Sequence, residues 1–202
     1  MNLSTVGQTV NARGWTLLSP DEARRSYLLD RDRNGLMDKD DIVIDLYIPG
    51  TPKAIQSVRF ANRGGFMTKY QPKANTDWKG YLKLSALDQL PEDYKPLKGP
   101  LKFDVVYAYD ALKTFTKKKL AWLSEGNVIM KPSRPDLQDN LSKGVCDAMT
   151  GILWQDDSQI VWNEGFKFFC EKGPGILIRV TQVEENLTAE QLPDWVQDWL
   201  KR

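Results

Sequence analysis

Histidine is absent from this chain of 202 residues, and cysteine occurs only twice. Without histidine, neither a Ser-His-Asp nor a Cys-His nucleophile can be assembled. A His-ligated zinc is excluded too, and two cysteines alone do not complete a structural zinc site. Cys146 and Cys170 lack CxxC spacing. One falls in a helical pattern and the other in a strand pattern, so both read as buried free thiols rather than a disulfide. No run approaches the ~20 apolar residues of a membrane span. The opening Met1-Asn2-Leu3-Ser4-Thr5 lacks the basic and apolar regions of a secretory signal. A cytoplasmic protein without membrane contact is therefore expected. Any chemistry must come from carboxylates, lysines, hydroxyls or a hard metal ion.

What is present is ordinary globular material: 41% hydrophobic and 27% charged residues, with a formal net charge of +1. That balance is unevenly spread. Residues 51–100 hold nine basic and four acidic side chains, whereas residues 1–50 and 181–202 are net acidic. A polyanionic partner would meet the middle of the chain, although a basic stretch can equally be a solvated surface.

Ser19-Pro20-Asp21-Glu22 has the N-cap, N1 proline and acidic first turn of a helix start. The β-branched run 42–48 predicts a strand ending at Pro49-Gly50. Residues 53–73 read as a basic hairpin or ordered loop, and residues 75–90 as a helix with Trp78 and Leu82 on one side. Leu101, Phe103, Val105 and Tyr107 alternate as a half-buried strand over 101–109 requires. The stretch 113–131, with Lys117-Lys118-Lys119, reads as irregular. Helical spacing runs from Asp139 to Thr150. Strands are predicted at 159–170 and 175–183, with Lys172-Gly173-Pro174-Gly175 as a hairpin signal. A final amphipathic helix spans 188–201, where Thr188 and Gln191 can form a capping box. The pattern predicts an α+β fold with a single domain: a mixed sheet of about four strands with flanking helices over 42–185, an N-terminal extension over 1–41, and a C-terminal amphipathic helix over 186–202.

The most informative stretch is 131–160. Asp136 and Asp139 stand where a loop enters a helix, Asp147 lies further along it, and Asp156 and Asp157 occupy the following turn. Carboxylates that converge repel one another unless a cation sits between them. Hard oxygen ligands suit Mg²⁺ or Mn²⁺, which can activate water and stabilise a phosphoryl transition state. Lys143 follows Asp139 by one helical turn, on the same face. The same residues are also ordinary caps and turn formers. A helix of about twelve residues is roughly 18 Å long. Asp157 can meet Asp136 and Asp139 only if the returning strand runs beside the helix N-terminus.

Asp136-Leu137-Gln138-Asp139-Asn140-Leu141-Ser142-Lys143, then Asp147-Ala148-Met149, then Asp156-Asp157-Ser158-Gln159-Ile160, resembles the core of the RusA family of Holliday junction resolvases. Upstream, Ile48-Pro49-Gly50-Thr51-Pro52-Lys53, Arg59, Tyr70-Gln71-Pro72-Lys73 and Leu97-Lys98-Gly99-Pro100-Leu101 follow in the family's order. The resemblance covers about residues 42–185. It implies a metal-dependent endodeoxyribonuclease, bacterial or phage-encoded, working as a homodimer on branched DNA such as a four-way junction in recombination and repair, without a nucleotide cofactor. It implies Asp136, Asp139 and Asp157 as metal-binding carboxylates, Lys143 as the catalytic lysine and Asp156 as a neighbouring acid. The sequence departs from the family at two places. Asp136 and Asp139 are three apart where two is usual, with Gln138 as the extra residue, and Gln56-Ser57-Val58-Arg59 replaces a richer basic pattern. A non-catalytic DNA-binding accessory protein that kept the fold is the competing expectation.

Outside that resemblance, residues 30–41 fit an EF-hand loop: Asp30, Asp32, Asn34, Asp38 and Asp41 at the ligand positions, and Gly35 at the turn. Asp41 is shorter than the usual bidentate Glu, and strand-like residues follow in place of an exiting helix. The expectation there is either a weak Ca²⁺ site or a polar surface turn. Lys117-Lys118-Lys119 can contact phosphates or simply be solvated. The Trp195/Trp199 stripe can pack on its own sheet or form a dimer contact.

Overall fold

The computed structural model describes residues 43–55, 59–63, 65–70 and 72–201. The helix start at Pro20 and the loop holding Asp30, Asp32, Asn34, Asp38 and Asp41 lie outside the described residues, as does Gln56-Ser57-Val58. The strands are β1 (Val43–Pro49), β2 (Arg59–Arg63), β3 (Phe66–Tyr70), β4 (Leu101–Asp110), β5 (Ile129–Met130), β6 (Ile160–Cys170) and β7 (Gly175–Gln182). The α-helices are α1 (Lys73–Leu87), α2 (Lys117–Ser124), α3 (Lys143–Met149) and α4 (Asp194–Leu200). The result is α+β, with a mixed five-stranded sheet in the order β1-β7-β4-β6-β5 and a separate β2–β3 hairpin.

Period-two patterning builds the core in rows across the sheet. Ile44, Val180 and Phe103 are in register, then Leu46, Ile178 and Val105, then Ile48, Ile176 and Tyr107, and all nine are buried. Two of the rows set an aromatic side chain opposite a β-branched one, a contact that stabilises paired strands, and the middle row is wholly aliphatic. The intervening positions form the other face as a charged row. Asp45 pairs with Arg179, Arg179 with Asp104, and Asp104 with Glu164. Arg179 grips Asp45 through two bonds of 2.7 Å each.

The sheet has five strands, in line with the expected mixed sheet of about four. Other expectations need correction. The Lys172–Gly175 turn does not close a hairpin: β6 runs parallel to β4 and β7 runs antiparallel to it, so β4 lies between them. Residues 113–131 are not irregular. Thr116 caps α2 by accepting from the Lys119 N–H, and Leu123 anchors the helix in the core. At the C-terminus Pro193 divides the expected helix into a 3₁₀ turn (Ala189–Gln191) and α4. Gln191 accepts from the Thr188 N–H as the capping box requires. The Trp stripe does not pack on the sheet, since Trp195 is 75% and Trp199 67% exposed.

α1 buries Asn75, Trp78, Leu82 and Ala86, while Leu84 and Leu87 face solvent. It packs along α3, and Lys79 reaches Asp147 at 2.7 Å. Among the described residues no helix is long and apolar enough to cross a membrane.

Candidate active site

The loop that enters the site starts at β5 and ends at Asp136. Asp136 is extended and caps the helical segment: one carboxylate oxygen accepts from the N–H groups of Gln138 (2.9 Å) and Asp139 (3.1 Å). Two orphan donors of the first turn are thereby satisfied. The Asp136 carboxylate is thus tied to the backbone of Asp139, and both residues are exposed on one lip.

The segment that follows is not an α-helix at first. Leu137–Ser142 is a π-helical turn, closed by the Lys143 N–H to the Gln138 carbonyl, five residues back. A π turn is a rare, wider turn, frequent at functional sites. It takes in Gln138 before α3 begins at Lys143. Leu141 and Ser142 face inward, where the buried Tyr107 hydroxyl lies 3.4 Å from Ser142 Oγ, while Asp139 and Lys143 stay exposed. The turn is also a docking point: the Asn140 carbonyl accepts from the Ile55 N–H at 3.0 Å. This ties the segment after β1 to the catalytic candidates.

α3 ends at Gly151, whose φ of +79° lets the chain reverse. The fully buried Trp154 fixes the reversal, with its ring edge-on to Phe103 and its indole N–H on the Thr150 hydroxyl at 3.2 Å. Asp156 and Asp157 follow in a 3₁₀ turn over Asp157–Gln159. Gln159 is its clamp. Its side-chain oxygen accepts from the N–H groups of Gln155 and Asp156, and its amide donates to the carbonyls of Leu97 and Gly99. Hydrogen bonds from Ser158 hold the Asp156 carboxyl below its usual range.

β6 does run beside the start of the helical segment, but with its middle rather than its first residue. A Cβ on Gly165 would meet Leu137 at 3.5 Å, and Lys167 donates to the Pro135 carbonyl at 2.6 Å. Asp157, before the strand, instead lies near Cys146. Burial first, and then the Asp157 and Asp147 carboxylates, push the Cys146 thiol up to about 12. Asp136 and Asp139 stand at the entrance of the segment, and Asp157 lies within electrostatic reach of Cys146 in α3.

Among the described residues, no three Asp, Glu or Cys side chains form a group placed to hold a metal ion. The exposed pair Asp136 and Asp139 is nonetheless a set of hard oxygen donors. Mg²⁺ commonly takes only one or two protein carboxylates and fills its shell with water and substrate phosphates. The pair fits that mode of binding and does not fit an all-protein cage. An open cleft of about 670 Å³ adjoins Asp136, lined also by Pro52, Ala54, Arg134, Asn140 and Lys167.

The profile of the family Endodeoxyribonuclease RusA matches residues 49–181. The chain belongs to the RusA family. YqaN of Bacillus subtilis (strain 168), an uncharacterised protein, is 30% identical over 141 residues, covering 69% of this chain and 96% of that protein. The crossover junction endodeoxyribonuclease RusA of Lactococcus phage r1t is 40% identical over 103 residues, covering 50% of this chain and 70% of the phage protein. The RusA match encloses Asp136, Asp139, Lys143 and Asp157 and stops short of α4.

Sequence reasoning missed the supports of this site. Gln159 was legible, since Asp156 and Gln159 have capping-box spacing. Lys131, Lys167 and the Ile55 contact had no local signal, because each depends on an element distant in sequence.

Proposed function

We propose that this protein is an endodeoxyribonuclease that hydrolyses phosphodiester bonds in branched DNA, with a four-way junction as substrate, using Mg²⁺ or Mn²⁺. The observation that carries the reading is the exposed lip of Asp136 and Asp139 beside an open cleft, with Lys143 a turn further on, within a RusA-family chain. The bound ion supplies Lewis acidity at the scissile phosphate and lowers the pKa of its water. Asp136 and Asp139 offer it oxygen ligands. Lys143 meets the negative charge that builds on the phosphate. Asp157, presented by the Gln159-clamped turn, would supply a further carboxylate. A homodimer would carry two such sites for paired symmetric cuts.

The bacterial and phage relatives support a bacterial or phage-encoded protein. A cytoplasmic setting and service in DNA recombination or repair belong to the same proposal and rest on the resemblance to the RusA family. No nucleotide cofactor is invoked. Ca²⁺ binding at Asp30, Asp32, Asn34, Asp38 and Asp41 stays a separate proposal, resting on the sequence pattern alone.

The competing reading is a DNA-binding accessory protein without catalysis, favoured by the lack of a three-carboxylate group among the described residues. Incubation of a labelled synthetic four-way junction with the purified chain, with Mg²⁺, with Mn²⁺ and with chelator, separates the two. Paired nicks with either ion and none with chelator support the nuclease. Tight junction binding without nicks supports the accessory protein.

A further inference from the structure

Two ammonium groups converge on the backbone that leads into Asp136. Lys167 reaches across from β6 and donates to the carbonyls of Ser133 (2.9 Å) and Pro135 (2.6 Å). Lys131, just after β5, donates to the Ser133 hydroxyl at 2.8 Å and to the Arg134 carbonyl. Three successive carbonyls, of Ser133, Arg134 and Pro135, thus have cationic partners immediately before the capping carboxylate. Charge-assisted bonds of this kind are roughly twice as strong as neutral ones.

An exposed loop can satisfy its carbonyls with water at little cost. Here two like charges are instead held at the same short loop. Burial, and then the neighbouring Lys167 charge, hold the Lys131 ammonium below its ordinary pKa. The Tyr109 and Phe169 rings, 5.1 and 5.5 Å from that ammonium, keep it in place. The loop backbone is thus fixed at three successive carbonyls rather than left to water. β6 provides a rigid base, since its Gly165 lies against Leu137, directly after Asp136.

We propose that Lys167, assisted by Lys131, is a positioning residue: it fixes the Ser133–Pro135 backbone and so aims the Asp136 carboxylate into the adjoining cleft. The inference rests on the reading that Asp136 takes part in phosphodiester cleavage. Two of the three Lys167 N–H donors are taken by these carbonyls, so its proposed role runs through Asp136 rather than through the scissile phosphate.

The test uses the full chain with Lys167→Met, which keeps the aliphatic stem and removes the charge, and Lys167→Arg, which keeps donors for two carbonyls. At saturating junction and Mg²⁺, the single-turnover rate of Lys167→Met falls about 10²-fold, the scale expected when a catalytic group is displaced by an ångström. Junction affinity and its salt dependence stay as in wild type, and Lys167→Arg recovers most of the rate. Hydrogen exchange at the amides of Gln138 and Asp139, which the Asp136 carboxylate holds, reads the positioning without reference to cleavage. It quickens about 10-fold or more in Lys167→Met. Unchanged exchange overturns the proposal whether or not the wild type cuts DNA. Weakened junction binding with a salt slope reduced by about 1 also overturns it, since that marks a direct phosphate contact. Quickened exchange in Lys167→Met, together with a wild type that does not cleave, would support the positioning and remove the nuclease reading instead.

Discussion

Gly144 faces Ile55 so closely that a β-carbon on the glycine would come within 2.5 Å of Ile55 Cδ1. The contact lies directly after the π turn, and the Ile55 N–H to the Asn140 carbonyl reinforces it. The segment after β1 and the segment carrying Asp139 and Lys143 are locked together by the absence of one methyl group. Gly144→Ala is expected to lower stability by about 1–3 kcal/mol through overpacking, despite the higher helix propensity of alanine. Ile55→Ala in the same chain is expected to return part of that loss. Urea unfolding of the single and double variants reads the coupling, and strictly additive losses would contradict the contact.

Gln159 joins the Asp156–Asp157 turn to the loop before β4 through four hydrogen bonds. Gln159→Ala leaves two backbone N–H groups and two carbonyls to find water. A loss of about 1–3 kcal/mol in stability is expected, well below the sum of four bonds because most of these groups are exposed. The junction-cleavage rate should fall further than stability alone requires, because Asp157 loses its fixed presentation. A variant as stable and as active as wild type would remove Gln159 from this role.

The Cys146 thiol gives a chemical reading of where Asp157 stands. With its pKa pushed up to about 12 by burial and by Asp157 and Asp147, it is protonated at pH 8 and should alkylate slowly. In a Cys170→Ser background, Asp157→Asn removes one like charge, lowers that pKa and should speed alkylation several-fold. An unchanged rate would place Asp157 away from Cys146.

Asp104 makes stability depend on pH with a definite sign. Burial, with the Glu164 carboxylate adding to it, raises its carboxyl above the ordinary value of 3.8 against the opposing pull of Lys102 and Arg179. One of its oxygens is buried without a hydrogen-bond partner. The folded chain therefore binds more protons at this group than the unfolded chain just above pH 3.8, and stability falls as pH rises through that window. Asp104→Asn removes the titration. Its urea midpoint relative to wild type should improve from pH 4 to pH 7, and a decline over that range would contradict the assignment.

The buried positions Leu101, Phe103, Val105 and Tyr107 were legible because β4 alternates by itself. Which strands pair was not. The Gly173-Pro174-Gly175 turn signals a hairpin, yet β4 lies between β6 and β7, a choice made by the buried rows far away in sequence. α2 was hidden because Lys117-Lys118-Lys119 reads as solvated, and the helix is held in the core by Leu123. In the site, the extra residue Gln138 was visible as an irregular spacing. That the backbone would take it up as a π turn, keeping Asp139 and Lys143 exposed, was not, because either a loop bulge or a helix bulge fits the same string. Nor did the string show that β6 brings Lys167 to the entrance of the helical segment.

The most direct measurement is cleavage of a synthetic four-way junction by wild type and Asp139→Asn, with junction binding measured on both. The account expects paired cuts by wild type in Mg²⁺ or Mn²⁺. For Asp139→Asn it expects a loss of about 10²-fold or more, with binding equal or tighter because one carboxylate no longer repels the phosphates. Cleavage by Asp139→Asn at the wild-type rate would contradict it.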